Sequence, residues 1–265
     1  MSREVRLEWL RPDEINAERE RCPLVYLPIG PLEWHGPHLP FGTDPLQATH
    51  TAQSLAEKIG GVVHPPIYIG TERERSREIL KDLGFKGDEW IVGMDFPTNT
   101  ERSYYYAEDI FAMMVRFTLE QLTTRGYRLL VIVNGHGATN QIQQLQRLAA
   151  EFTQRGPCKV IYTFDLDAEF DEDAGHATIT ETSAILALEA ERVSIASLPP
   201  REIPLNNIDH AIVDAPTFSG QPTPNRTVRP KADPRYATAE MGSAHFNSIV
   251  ERLSKVILNE LKTIP

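Results

Sequence analysis

The apolar residues of this chain form short unbroken runs, separated by longer stretches in which they recur every three or four positions. Residues 24–29, Leu-Val-Tyr-Leu-Pro-Ile, make the first run. Leu129-Leu130-Val131-Ile132-Val133 is the clearest, and residues 159–164 give a third. Runs of this kind predict strands buried on both faces. Residues 62–67 form a fourth candidate, weakened by Pro65-Pro66. Between the runs, residues 45–58 place Leu46, Ala52, Leu55 and Ala56 near helical spacing, with Ile59 just beyond, and stop at Gly60-Gly61. Residues 104–124 predict a helix that offers Ile110, Met113, Met114, Phe117, Leu119 and Leu122 to a core. Further helices are predicted over 140–155, 181–192 and 236–263, the last with a stripe running from Met241 through Phe246, Ile249, Leu253 and Ile257 to Leu261. The polar stretch 71–100 carries Gly84, Gly87, Gly93 and Pro97 and is expected to be loops.

Strand and helix alternate, which predicts an α/β fold: a mostly parallel sheet with helices on both faces. Residues 1–265 are read as one unit. The proline-rich stretch 199–234 is an extended excursion from it, either an oligomer arm or a loop with no partner.

Composition narrows the function classes. The formal charge of −10 speaks against nucleic acid as a partner, because phosphate contacts need clustered Lys and Arg. No apolar run approaches the roughly 18 residues of a membrane span. The two cysteines, Cys22 and Cys158, are far apart and make no disulfide framework. The first residues contain no apolar signal region. A cytoplasmic protein is expected.

Three segments carry candidate chemistry. The loop after the first run holds Glu33, His35, His38 and Asp44 within twelve residues. Asn134-Gly135-His136-Gly137 follows the clearest strand, and His176-Ala177 with Glu181-Thr182-Ser183 opens a helix. Two of these segments follow strand runs, and open α/β sheets bind ligands at the carboxyl ends of their strands. Imidazoles and carboxylates without thiolate suit a divalent metal. Each residue also has a plainer role open to it. Asp44 precedes Pro45 and can cap the next helix. Glu181 can answer a helix dipole. Glu33 and His35 can be solvated loop residues, and His136 a buried histidine paired with backbone. Gly135 and Gly137 allow close backbone approach around it.

The sequence Glu33-Trp34-His35-Gly36-Pro37-His38-Leu39-Pro40, followed by Gly42-Thr43-Asp44, resembles the creatininase family nearly position by position. Asn134-Gly135-His136-Gly137 is similar to that family's second motif, and His176-Ala177 with Glu181-Thr182-Ser183 to its third. The resemblance runs from about residue 27 to residue 183. It implies a three-layer α/β/α fold, two divalent metal ions per subunit (Zn²⁺, Mn²⁺ or Fe²⁺) and a homo-oligomer, often a hexamer. By the same resemblance Glu33 and His136 would hold one ion, His35 the other, and Asp44 would bridge them. Creatininases also draw a glutamate from just after the second motif. That position here is Ala138, so Glu181 is taken to complete the second set. His176 would shuttle protons, and His38 would orient a ligand from behind. Trp34, Gly137 and Arg73 are read on the substrate side.

The implied reaction is hydrolysis of a non-peptide C–N bond, in a small cyclic amide or a formamide, by a water activated between two ions. Two alternatives stand beside it: a peptide-processing hydrolase of the same family, and a metal-binding protein without catalysis. The second draws on a departure from the family, since Thr178 and Ile179 replace a glycine and a substrate-side glutamate. The charged stretch 71–77 is a further departure. One of Arg73, Arg75 or Arg77 can clamp an anion there, or the stretch is a solvated face.

Overall fold

The structure is a computed structural model that describes residues 3–165, 175–208, 211–213, 228 and 230–264. Its centre is a four-stranded sheet, ordered β2-β1-β3-β4, from β1 (Leu24–Ile29), β2 (Val62–Val63), β3 (Leu129–Asn134) and β4 (Lys159–Phe164). All three pairings are parallel, with Leu24 opposite Leu129 and Leu129 opposite Lys159. β1 and β3 lie inside the sheet and are buried along their whole length, as their unbroken apolar runs require. Pro28 lies beyond the two residues of β1 that pair with β2, and its carbonyl accepts the Ile67 N–H (3.0 Å) where the chain returns after Pro65-Pro66.

Alternate residues of each strand feed opposite layers. Val25, Leu27, Ile29, Leu130 and Ile132 pack against α4 (Glu108–Thr123) and α5 (Thr139–Arg155). Leu24, Tyr26, Leu129, Val131 and Val133 pack against α2 (Thr43–Ile59) and α7 (Ala239–Thr263). This is the expected three-layer α/β/α arrangement. α1 (Pro12–Arg21) precedes β1, and α6 (Ile179–Glu189) lies against α7. No helix among the described residues is long and apolar enough to cross a membrane.

Several expectations need correction. The strand read over 62–67 shrinks to two residues; Pro65-Pro66 interrupt it, and Ile67 returns as an isolated bridge to Ile29. The stretch 71–100 is not only loop. It contains α3 (Arg77–Asp82), and Leu80, Leu83, Ile91, Met94 and Phe96 close a small core of their own. The helix expected from residue 104 starts at Glu108, and the one expected from residue 236 at Ala239, after a 3₁₀ turn over Pro234–Tyr236. The helix read over 181–192 spans Ile179–Glu189 and ends in a 3₁₀ turn.

The inner face of α4 matches the expectation in part: Met114, Leu119 and Leu122 pack into the core as expected. Ile110, Met113 and Phe117 are exposed, whereas Phe111, Val115, Leu119 and Leu122 are buried. The helix is apolar on two stripes, and periodicity cannot choose between them. Much of 199–234 lies outside the described residues. Within the rest, β5 (Asn206–Ile208) and β6 (Ala211–Val213) form an antiparallel pair. Arg235 ties the start of the stretch to its end, donating to the Pro199, Pro200 and Ile203 carbonyls while pairing with Asp233.

The two stripes of α4 can be told apart by substitution. Phe111→Ala should cost about 3–5 kcal/mol of unfolding free energy in urea. Phe117→Ala should change it by no more than about 0.5 kcal/mol. Equal losses would contradict the packing described.

Candidate metal centre

The site is assembled from two loops that follow strands and the starts of two helices. Glu33 and His35 lie on the loop after β1, and His136 follows β3 by two residues. Asp44 and Glu181 stand in the first turns of α2 and α6. All five are buried, Glu33 and Asp44 at 1% exposure and Glu181 at 4%.

Asp44 is at the centre. Its Oδ1 lies 2.8 Å from His35 Nε2 and its Oδ2 3.0 Å from His136 Nδ1. Glu33 Oε2 is 3.1 Å from His136 Nδ1, and Glu181 Oε2 is 3.7 Å from His35 Nε2. Three sets of potential ligand atoms lie together among the described residues: Glu33-Asp44-His136 and His35-Asp44-Glu181, with Asp44 in both, and Glu33-His35-His176. Asp44 does not cap its helix: α2 has no side-chain cap, and the carboxylate turns inward. Close backbone approach makes room for it. A Cβ on Gly135 would sit 2.2 Å from the Asp44 carbonyl oxygen, so only glycine fits there. Gly137 has ordinary space around it.

The donor set fits divalent ions, and the orphaned atoms argue the same way. Glu33 Oε2 and His35 Nε2 are buried without a hydrogen bond although partners lie close. Such atoms share a space rather than point at one another. His35 and Glu33 are held from their far sides, and Glu181 by a backbone N–H. His35 Nδ1 donates to the Glu33 carbonyl (3.0 Å), which leaves Nε2 for the cluster. Tyr105 donates its hydroxyl to Glu33 Oε1, leaving Oε2 facing His136. The Ala177 N–H donates to Glu181 Oε2, from a backbone at φ 58° that a non-glycine residue seldom adopts.

His176 belongs to the same cluster. Its ring lies 4.0 Å from that of His35, and its Nδ1 is 3.6 Å from Glu33 Oε2. Its Nε2–H donates to the Trp34 carbonyl, so Nδ1 carries the free lone pair. His38 stands further back: its Nε2 bonds Thr182 Oγ1 (3.0 Å), next to Glu181.

The electrostatics follow from three carboxylates in a dry place. Burial alone would push His35 down, but Asp44, Glu181 and Glu33 outweigh it and hold the imidazole up to about 10. His136 is likewise held well above its ordinary value against burial, by Glu33 and Asp44. Burial pushes Glu181 up to about 7, with His35 opposing. Burial and the neighbouring His35 push His176 down to about 3, so its ring is neutral.

A cavity of about 500 Å³ opens onto the cluster. Gly137 and Arg73 line it, together with Glu72, Arg75, Met94 and Phe164. Arg73 also pairs with Glu108 (3.1 Å). The Trp34 ring is buried edge-on to Phe41, and it is the Trp34 carbonyl that reaches His176. Two residues escaped the sequence reading. Tyr105 sits in a Tyr-Tyr-Tyr run without periodicity. Asp165 lies one residue past β4, buried, with Oδ2 unpartnered; burial, then Asp44 and Glu181, hold its carboxyl well above the usual range. Its place at a strand's carboxyl end was the available signal.

The chain is similar to proteins of known description. A family model described as Creatininase: Creatinine amidohydrolase matches residues 8–257. A mycofactocin precursor peptide peptidase of Mycolicibacterium smegmatis is 28% identical over 64% of this chain and 60% of its own length. A 3-dehydro-scyllo-inosose hydrolase of Thermotoga maritima is 27% identical over 47% of this chain and 33% of its own. The chain thus spans less than two thirds of either relative. A creatinine amidohydrolase of Pseudomonas putida is 24% identical over 89% of both chains. Among solved structures, a mutant creatininase complexed with creatine superposes with a TM-score of 0.69, covering 97% of this chain and 99% of its own at 21% identity. Matched over nearly all of its length, the chain belongs to the creatininase family.

Proposed function

We propose that this chain is a dinuclear metal-dependent amidohydrolase, acting on a non-peptide C–N bond in a small cyclic amide or a formamide. The observation that carries the reading is Asp44, whose two oxygens meet two different histidines, each with its own further carboxylate. Glu33, Asp44 and His136 would hold one divalent ion, and His35, Asp44 and Glu181 the other. Bound there, such a pair supplies Lewis acidity and an activated water. Related structures are described as a Zn-Zn type creatininase and as a creatininase with Mn, and the ligand chemistry here suits either metal.

The remaining steps belong to the protein. The Trp34 carbonyl fixes the His176 ring, so Nδ1 can take a proton and return it to the leaving nitrogen. Tyr105 and the His35–Glu33 carbonyl contact keep ligand atoms aimed inward. A peptide substrate is the second reading, favoured by the likeness to the mycofactocin precursor peptide peptidase.

Metal analysis with an amide panel tests the proposal. About two divalent ions per chain are expected, with turnover of small amides or formamides exceeding that of short peptides. Fewer than one ion, and no hydrolysis after metal is added, would contradict it. Faster peptide cleavage would favour the second reading, and full metal content without any turnover a purely metal-binding protein. His176→Ala should keep the metal and lower kcat by about 10²–10⁴-fold. Metal uptake should also release protons. The metal-free His35 is protonated below about pH 10, and coordination needs its neutral ring. Apparent affinity therefore rises with pH up to that value. Titration calorimetry in two buffers of different ionisation enthalpy should give different heats, and identical heats would contradict this.

A further inference from the structure

Residues 72–75, 93 and 94 form one wall of the cavity. They belong to a paired segment. The Arg75 N–H donates to the Ile91 carbonyl (2.8 Å), the Gly93 N–H donates to the Arg73 carbonyl (3.2 Å), and Glu74 bridges to Val92. Leu80, Leu83, Ile91, Met94 and Phe96 pack together in the same stretch. A paired segment packed on its own core transmits a displacement as one body.

This body is tied to the ligand cluster at two points. The first is Gln141, fully buried in the first turn of α5. Its Oε1 accepts the Thr71 N–H (3.0 Å) where the wall begins, and its Nε2 donates to Asn134 Oδ1 (2.8 Å). Asn134 in turn brackets His136: its Oδ1 accepts the His136 N–H (3.2 Å), and its Nδ2 donates to the His136 carbonyl (2.6 Å). The second point is Tyr105. Its hydroxyl accepts the Met94 N–H (3.3 Å) where the wall ends, and donates to Glu33 Oε1. Gly93, at φ 52°, makes room for it, because a Cβ there would lie 2.7 Å from Tyr105 Oη. The two ties end on His136 and Glu33, which share one ligand set with Asp44. His35 and Glu181 make the other set with Asp44, and they are held from outside the wall, by the Glu33 carbonyl and the Ala177 N–H.

We infer that Gln141 and Tyr105 are positioning residues that couple the cavity wall to one of the two metal sites, the one formed by Glu33, Asp44 and His136, and leave the other site independent of the wall. The inference rests on the proposed dinuclear reading. Each tie is a short chain of hydrogen bonds, and cutting it leaves a polar group unmatched and a ligand free to turn. Coupling of this kind is reciprocal, so an ion in that site also holds the wall in place.

Zinc titration calorimetry on the full chain tests this without turnover. Gln141→Leu and Tyr105→Phe should each weaken one of two binding events about 10–100-fold and leave the other within about twofold. Gln141→Glu keeps the acceptor for Thr71 but not the donor to Asn134. It should weaken the same event, and it replaces the leucine variant if circular dichroism shows that variant unfolded. Gln144→Leu, one turn further along α5 with its amide on Glu108, should change neither event. Hydrogen exchange gives the reciprocal readout: zinc should slow the amides of residues 71–75 and 91–94 in the unmodified chain, and slow them less in Gln141→Leu. Either variant weakening both events alike, or neither, would overturn the inference alone, as would wall amides that zinc leaves unchanged. A chain that binds fewer than two ions overturns the dinuclear reading and this inference with it.

Discussion

A buried carboxylate shared by two imidazoles is the constraint on which this molecule is organised. Asp44 can reach His35 and His136 only because the backbone after β3 passes within contact of its own carbonyl, where Gly135 carries no side chain. Three carboxylates in one water-poor spot are costly unless positive charge joins them. In the metal-free chain that charge comes from protons on His35 and His136. Divalent ions would replace those protons, and the groups behind His35 and Glu33 already hold their ligand atoms inward. The rigidity of the inner strands matters for the same reason. β1 and β3 are fully buried, so the loops that leave them start from fixed points.

Much of this was legible from residues alone. The unbroken runs at 24–29 and 129–133 named the inner strands because burial on both faces leaves no polar position. Glu33, His35, Asp44, His136 and Glu181 stood out through motif resemblance, and the fold gathers all five. Other features were not legible, for definite reasons. α4 has two apolar stripes, and spacing could not tell which one faces the sheet. Tyr105 acts through one hydroxyl, which no periodicity marks. Pro65-Pro66 weakened the second strand in the reading and shorten it further in the fold.

The stretch 71–100 gave the least information in sequence and carries much of the site's individuality. Its small core holds a wall of charged residues opposite the cluster. Arg73 and Arg75 satisfy neighbours within the protein. The cavity therefore lies between separate elements: the ligand residues after β1 and β3 and in the first turns of α2 and α6 on one side, and the stretch between β2 and α4 on the other.

The central claim is that Asp44 joins two metal ions. Anomalous diffraction from crystals of the metal-loaded chain, recorded on both sides of the zinc or manganese edge, tests it most directly. Two peaks about 3.5–4 Å apart, one against each Asp44 oxygen, are expected. A single peak, or two peaks of which either fails to contact Asp44, would contradict the account.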